Sequence, residues 1–319
     1  MRRDERVLAR LGRALLGIIL TGLAVELALI PLALFHFHRA GLYGVGANII
    51  AIPLTTFVIM PLEAGALLLD AIGLGKPLWL LCGVTIDGLL KLAHAVASAS
   101  GAVVMTPSMP AWAFGLMVAG LLWLCLWNSR MRLFGFLPIA VGAAVAFASP
   151  TPDLLVTGDG RHLVVIDRAG TPMLLRDRAG NYIRDLLAEA SGYDGDPPNL
   201  AEAPFGQCSR DSCVAAIRKG HAEWRLLATL SAVQINWDDF TKACAEADIV
   251  VSDRRLPRGC NPRWLKLDRT SLAQSGGVAV YLGDPPRIVT VSDRVGQHPW
   301  SEAIPRPSSI PRAHSRPGR

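Results

Sequence analysis

The chain has 319 residues, of which 51% are hydrophobic and only 18% charged, well short of the charge content of ordinary soluble domains. Its formal charge of +6 is modest and gathers in a basic N-terminal run and a basic tail, too diffuse to argue nucleic-acid binding by itself. Residues 1–150 carry 10 basic and 6 acidic side chains against 22 and 20 in residues 151–319, which excludes a single water-soluble domain. The expectation is a bilayer part over 1–150 and a water-soluble part over 151–296, long enough for a core of its own. A Pro-, Ser- and Arg-rich tail over 297–319 is expected to lack fixed structure.

Spanning helices need roughly 20 mainly apolar residues. Ala14 to Phe35 supplies one, interrupted by Glu26 and, near its end, by Pro31. Gly44 to Ile72 supplies a second, long and punctuated by Pro53 and Pro61. Leu78 to Ala99 is a weaker third, and Trp112 to Trp127 and Leu133 to Ala148 are short but nearly free of charge. A cleaved signal peptide explains this poorly, because the first apolar stretch is long and others follow it.

Arg2, Arg3, Arg6, Arg10 and Arg13 precede the first span, and Arg130 and Arg132 sit between the last two. Basic loops stay in the cytoplasm, so the part after Pro150 is expected outside. Both basic clusters agree if one or three crossings separate Arg13 from the loop before Trp112. One crossing requires a re-entrant second segment and an interfacial third.

The linker after the first span holds His36, His38 and Arg39. Two histidines two apart point about 200° apart on a helix and share no metal there. On an extended linker they would still lack a third ligand. They read either as an ordinary interfacial loop or, with Asn48, Pro53 and Pro61, as the rim of a passage entered by a broken membrane segment. Asp87, Lys91, His94 and Ser98 follow helical spacing and share one face of the third segment. That stripe is either the polar side of an interfacial or bundled helix, or the wall of a water-lined path.

From Asp153 short apolar runs alternate with Gly, Asp and Arg. Leu154–Val156, Leu163–Ile166, Met173–Leu175, Trp224–Thr229, Asp248–Ser252 and Val278–Leu282 read as strands. Helices are expected near Asn181–Ala190 and Asp238–Ala247, which together make a sheet with helices packed on it. Cys82 and Cys125 fall in membrane segments as small apolar residues. Cys208, Cys213, Cys244 and Cys260 lack the paired spacing of a zinc site. In an oxidising compartment they read as disulfides. Of the three connectivities four cysteines allow, the local pairs Cys208–Cys213 and Cys244–Cys260 are favoured.

"LALFHFHRAGLYGVGANIIAIPLTTFVIMPLEAGALLL" resembles the membrane core of the ComEC family, inner-membrane channel proteins of natural competence. The matching features are His36, Phe37, Gly41, Gly44, Asn48, Pro53 and Pro61. "LLWLCLWNSRMRLFGFLPIAVG" resembles the family's last spans, and "PDLLVTGDGRHLVV" and "VSDRVGQHPWS" its C-terminal domain. The resemblance implies a protein that passes single-stranded transforming DNA across the bacterial inner membrane, with the outer domain periplasmic. It implies a pulling motor in the cytoplasm, a DNA receptor outside, and either a homo-oligomer or a further N-terminal half, since full-length members carry an OB-like domain and more spans before this region. No nucleotide-binding G-x-x-x-x-G-K-[ST] loop occurs in the chain, so the motor is a partner.

Many relatives carry a C-terminal metallo-β-lactamase fold with clustered His and Asp ligands for two metals. Here His162, His221, His298 and His314 are scattered, and Asp153, Asp159 and Asp167 have no histidine beside them in sequence. The outer domain is therefore expected to be a degenerate α/β relative of that fold, without a nuclease activity, a metal or another cofactor. The competing expectations are a membrane-anchored interaction domain that conducts nothing and a metal-dependent nuclease.

Overall fold

A computed structural model of the chain describes residues 2–231, 233 and 235–296. The tail from Gln297, with His298 and His314, lies outside the described residues. Two compact units divide the chain, Met1–Phe147 and Ala148–Arg319.

The first unit is helical: α1 Arg2–Phe37, α2 Gly44–Leu54, α3 Met60–Asp70, α4 Lys76–Ala97, α5 Ala111–Leu126 and α6 Phe136–Ala148. Four helical runs are long and apolar enough to cross a membrane: Leu16–Phe37, Gly44–Asp70, Lys76–Ala97 and Arg130–Ala148; α5 is shorter. Their outward side chains are apolar, with Phe57, Leu68 and Leu126 more than three-quarters exposed. A soluble unit does not leave such a surface to water, whereas hydrocarbon solvates it.

The second span does not break. Expected from its two prolines to be interrupted, the chain stays helical from Gly44 to Asp70, and a π-helical turn over Thr55–Ile59 absorbs both prolines. Pro53 and Pro61 have no N–H to give the carbonyl four residues back, and a wider turn re-registers the ladder around the gap. The Thr55 amide donates to the carbonyls of Ala51 and Ile52, the Met60 amide reaches back to Thr55, and the Thr55 hydroxyl donates to Ala51 at 2.7 Å. In a bilayer, such local bonds are cheaper than an unwound backbone.

Helix α1 ends where His38 adopts a left-handed backbone, φ 58°. The chain then enters β1 Arg39–Gly41, which pairs antiparallel with β2 Val103–Met105. Tyr43 donates its phenol to the Ser100 carbonyl at 3.1 Å, and the Thr106 amide donates to the His38 carbonyl at 2.9 Å. The α1–α2 and α4–α5 linkers are thereby tied at one end of the helical unit, as two helical runs between them, Gly44–Asp70 and Lys76–Ala97, require.

The second unit holds two five-stranded sheets. The first has the order β12–β11–β3–β4–β5, from β3 Leu154–Thr157, β4 Leu163–Ile166, β5 Pro172–Leu174, β11 Gly277–Tyr281 and β12 Arg287–Thr290, all antiparallel. The second has the order β10–β9–β8–β7–β6, from β6 Gly206–Cys208, β7 Ser212–Lys219, β8 Ala222–Thr229, β9 Ile249–Val251 and β10 Leu265–Leu267. Strands β8, β9 and β10 run parallel. The expected single sheet is two, because Leu163 and Val165 of β4 face a core shared with Leu226 and Ile249, while Val164 and Ile166 face the other way.

Helix α7 Asn181–Ser191 covers the outer face of the first sheet through Leu187 and Ile183. Helix α8 Trp237–Glu246 covers the second through Cys244 and Phe240. The order is helix, sheet, sheet, helix, completed by α9 Arg269–Ser275 and α10 Val291–Val295 at its edge. Both expected cysteine pairs, Cys208–Cys213 and Cys244–Cys260, are at disulfide-bonding distance.

Candidate functional site

Helix α2, with Tyr43 as its N-cap, has no side-chain cap of its own and no acid in its first turn. The acceptor comes from another helix: the Glu26 carboxyl accepts the Gly44 amide at 3.1 Å. An acidic group beside the positive end of a helix is favourable electrostatically as well as by its hydrogen bond. Gly44 makes the approach possible, since a Cβ there would meet Glu26 Oε1 at 2.8 Å. The same two helices border a groove of about 920 Å³, open to the surface of the helical unit. Its walls are apolar except for Glu26, Asn48 and Thr21, and Pro53 and Phe57 lie along it. Polar groups held in a membrane-depth groove are costly to keep, which is why they mark functional paths.

Of the residues singled out by sequence, Asn48 and Pro53 thus share one groove. Pro61 opens α3 and is exposed. His36, His38 and Arg39 cluster where α1 meets β1; His36 makes an edge-on contact with Phe35 at 5.0 Å, and Phe35 stacks on Phe114 at 4.4 Å. Asp87, Lys91 and His94 are all exposed on one face of α4, and His94 Nδ1 lies 2.7 Å from the Leu90 carbonyl. Glu26, legible in the sequence only as an interruption, is the residue that the groove is built around. An acid in the middle of an apolar run, followed by a cap-less Gly helix start, is the signal that finds it.

Helices α5 and α6 approach backbone to backbone. A Cβ on Gly120 would lie 2.6 Å from the Gly135 carbonyl, and one on Gly142 would lie 2.6 Å from that of Ala113. Small residues are what allow apolar helices to pack this closely in lipid.

In the outer unit a polar cluster gathers where strands of both sheets end. Arg176 donates to the Thr229 carbonyl at 3.2 Å and pairs with Asp253 at 3.1 Å. Thr229 Oγ1 donates to Ser252 Oγ at 2.8 Å, both buried. Gly160, at φ 67°, lets the β3–β4 turn press against this point, since a Cβ would meet the Ser252 carbonyl at 2.8 Å. That turn brings His162, whose buried Nδ1 has no hydrogen-bond partner among the described residues. Burial holds the His162 imidazole below its usual range; Asp159 pulls it up, and Arg161 and Arg176 push it further down. His221 sits apart, in the β7–β8 turn. Among the described residues no three His, Cys, Asp or Glu side chains converge as metal ligands do.

Residues 2–131 match the family model described as Competence protein. The matched stretch covers α1 to α5 and supports a competence-type membrane protein. No curated protein and no solved structure matches the chain.

Proposed function

We propose that the helical unit forms part of a passage through which single-stranded DNA crosses the bacterial inner membrane during competence. The competence match over α1–α5 is the observation that carries this reading. The Glu26–Asn48 groove supports it, because polar side chains along a membrane helix pair serve a polar cargo better than a lipid-facing wall. Three crossings before α5 and the basic residues Arg130 and Arg132 support an orientation with the outer unit in the periplasm. We read that unit as a degenerate metallo-β-lactamase relative on its helix–sheet–sheet–helix order, and as non-catalytic on its dispersed histidines. Motor and receptor are then separate proteins.

The test replaces the chromosomal gene with Glu26→Gln, Asn48→Ala, Pro53→Ala and Arg39→Ala variants and scores transformation by linear DNA. Transformation is expected to fall by an order of magnitude or more with protein levels unchanged; normal uptake in all four removes the passage. Incubating the purified chain with single-stranded DNA and manganese is expected to leave the DNA intact, and metal-dependent cleavage refutes the non-catalytic reading.

A further inference from the structure

We propose that a cleft at the carboxyl ends of β8 and β9 binds single-stranded nucleic acid, with Trp237 as a stacking platform and Arg255 and Arg258 as phosphate contacts. The choice of DNA as ligand rests on the uptake reading above; the chemistry of the cleft does not.

Parallel strands β8 and β9 end on the same edge, and the α8 that follows β8 and the 252–264 loop that follows β9 pack side by side on one face of the sheet. Here the space between helix and loop is about 630 Å³ and is lined by Trp237, Phe240, Arg254, Arg255 and Arg258 above a floor of Thr229 and Ser252. Among the described residues no acidic side chain lines it. Asp238 and Asp239 are exposed in the first turn of α8, and Asp253 is engaged by Arg176.

Trp237 is 58% exposed, a large apolar ring left in water at the rim of a basic cleft. One edge of its ring lies against Gly259, where a Cβ would meet Cζ2 at 3.3 Å. Arg254 donates to the Val233 carbonyl at 3.3 Å from both terminal nitrogens and so braces the loop. Arg255 and Arg258 are exposed and make no hydrogen bond or ion pair among the described residues. Lys266 fixes the loop from below by donating to the carbonyls of Pro257 at 2.9 Å and Cys260 at 3.0 Å. The Cys244–Cys260 bond joins the loop to α8, so both walls are fixed before a ligand arrives. Little ordering is left to oppose binding. An exposed aromatic with flanking arginines recognises single strands by stacking any base and neutralising its phosphates, which a merely solvated basic loop does not do.

The full chain in nanodiscs of zwitterionic lipid is titrated with a fluorescent oligothymidylate at two salt concentrations. Trp237→Ala is expected to weaken binding by roughly 5- to 150-fold, the effect of losing about 1–3 kcal/mol of one stacked base, and Trp237→Phe to restore most of it. Arg255→Ala with Arg258→Ala is expected to weaken binding and to lower the slope of log K against log salt by about 0.7 per arginine. Thermal melting and thiol counts of each variant verify its folding. Wild-type affinity in these variants overturns the cleft. So does absence of oligonucleotide binding by the wild type, equal affinity for base-free polyphosphate, or binding only to vesicles of phosphatidylglycerol. The two readings separate: unchanged binding by the cleft variants with transformation lost in Pro53→Ala sinks the cleft alone, whereas weakened binding with normal transformation in every variant sinks the uptake reading alone.

Discussion

Asp153, one residue before β3, holds two parts of the outer unit at once. Its Oδ2 accepts the Leu282 amide at 2.7 Å, and its Oδ1 pairs with Lys219 at the end of β7 at 2.8 Å. Lys219 is 47% exposed, so screening leaves the ion pair little weight. The buried Leu282 amide decides the outcome: Asp153→Ala orphans it and is expected to destabilise the outer unit by about 1–3 kcal/mol in denaturant unfolding, with Asp153→Asn milder. His162 gives a pH dependence. Its folded pKa lies below the ordinary 6.5 because burial disfavours the charged form, so the unfolded chain takes up the proton first. Stability is fully present above pH 6.5 and is lost as pH falls through that value toward the folded pKa. His162→Asn is expected to flatten this loss, as read from melting temperature against pH. Asp159 is also held low: partial burial opposes this, but the Thr157 hydroxyl and the Arg161 amide together outweigh it. Its contribution is lost only in a more acid window, as pH falls below 3.8, so the two residues separate on one pH axis. His162 was legible in the sequence as a lone histidine. Its setting was not, because Arg176 acts on it from the segment after β5, on a different strand pair from the β3–β4 turn.

At the scale of elements, the membrane helices were the most legible part, since apolar runs of spanning length need no tertiary context to be recognised. What the prolines do to the second span was not legible. A proline marks a missing donor, and whether the backbone unwinds or widens into a π turn depends on local acceptors such as the Thr55 hydroxyl. The glycines of α5 and α6 carry an expectation of the same kind. Gly142→Leu places a side chain against the Ala113 carbonyl and Met117, and overpacking of about 1–3 kcal/mol is expected to loosen the hairpin. Greater protease sensitivity at Arg130 and Arg132 in nanodiscs measures it, with Gly115→Leu, which meets nothing within 4 Å, as the control. In the outer unit β7 escaped sequence reading. Its Ser, Ala and Arg content lacks a β-branched run, and only pairing with β8 across the two-residue Gly220–His221 turn makes it a strand.

At the scale of the molecule, the residues of the large outer core all fall between Leu154 and Leu282, and those of the helical core between Leu34 and Ala146. The Cys244–Cys260 bond closes its loop wholly inside the outer unit. Cys244→Ser paired with Cys260→Ser is expected to lower the melting of that unit by about 2–4 kcal/mol and to weaken the proposed cleft, while the helical signal of the membrane unit persists. Circular dichroism of the full chain, with and without reductant, reads both effects.

The division into an apolar helical unit and a water-facing unit and the membrane-capable helices were determined by sequence alone, because hydrophobic runs are properties of neighbouring residues; short separation favoured the local cysteine pairs, and the fold brings them within bonding distance. The partners of Glu26, the doubling of the outer sheet and the meeting of Trp237 with Arg255 and Arg258 were decided only by the tertiary structure. Each joins residues whose proximity depends on where other strands and helices pack. Composition records how much apolar surface must be buried; it does not record which polar side chains the burial brings face to face.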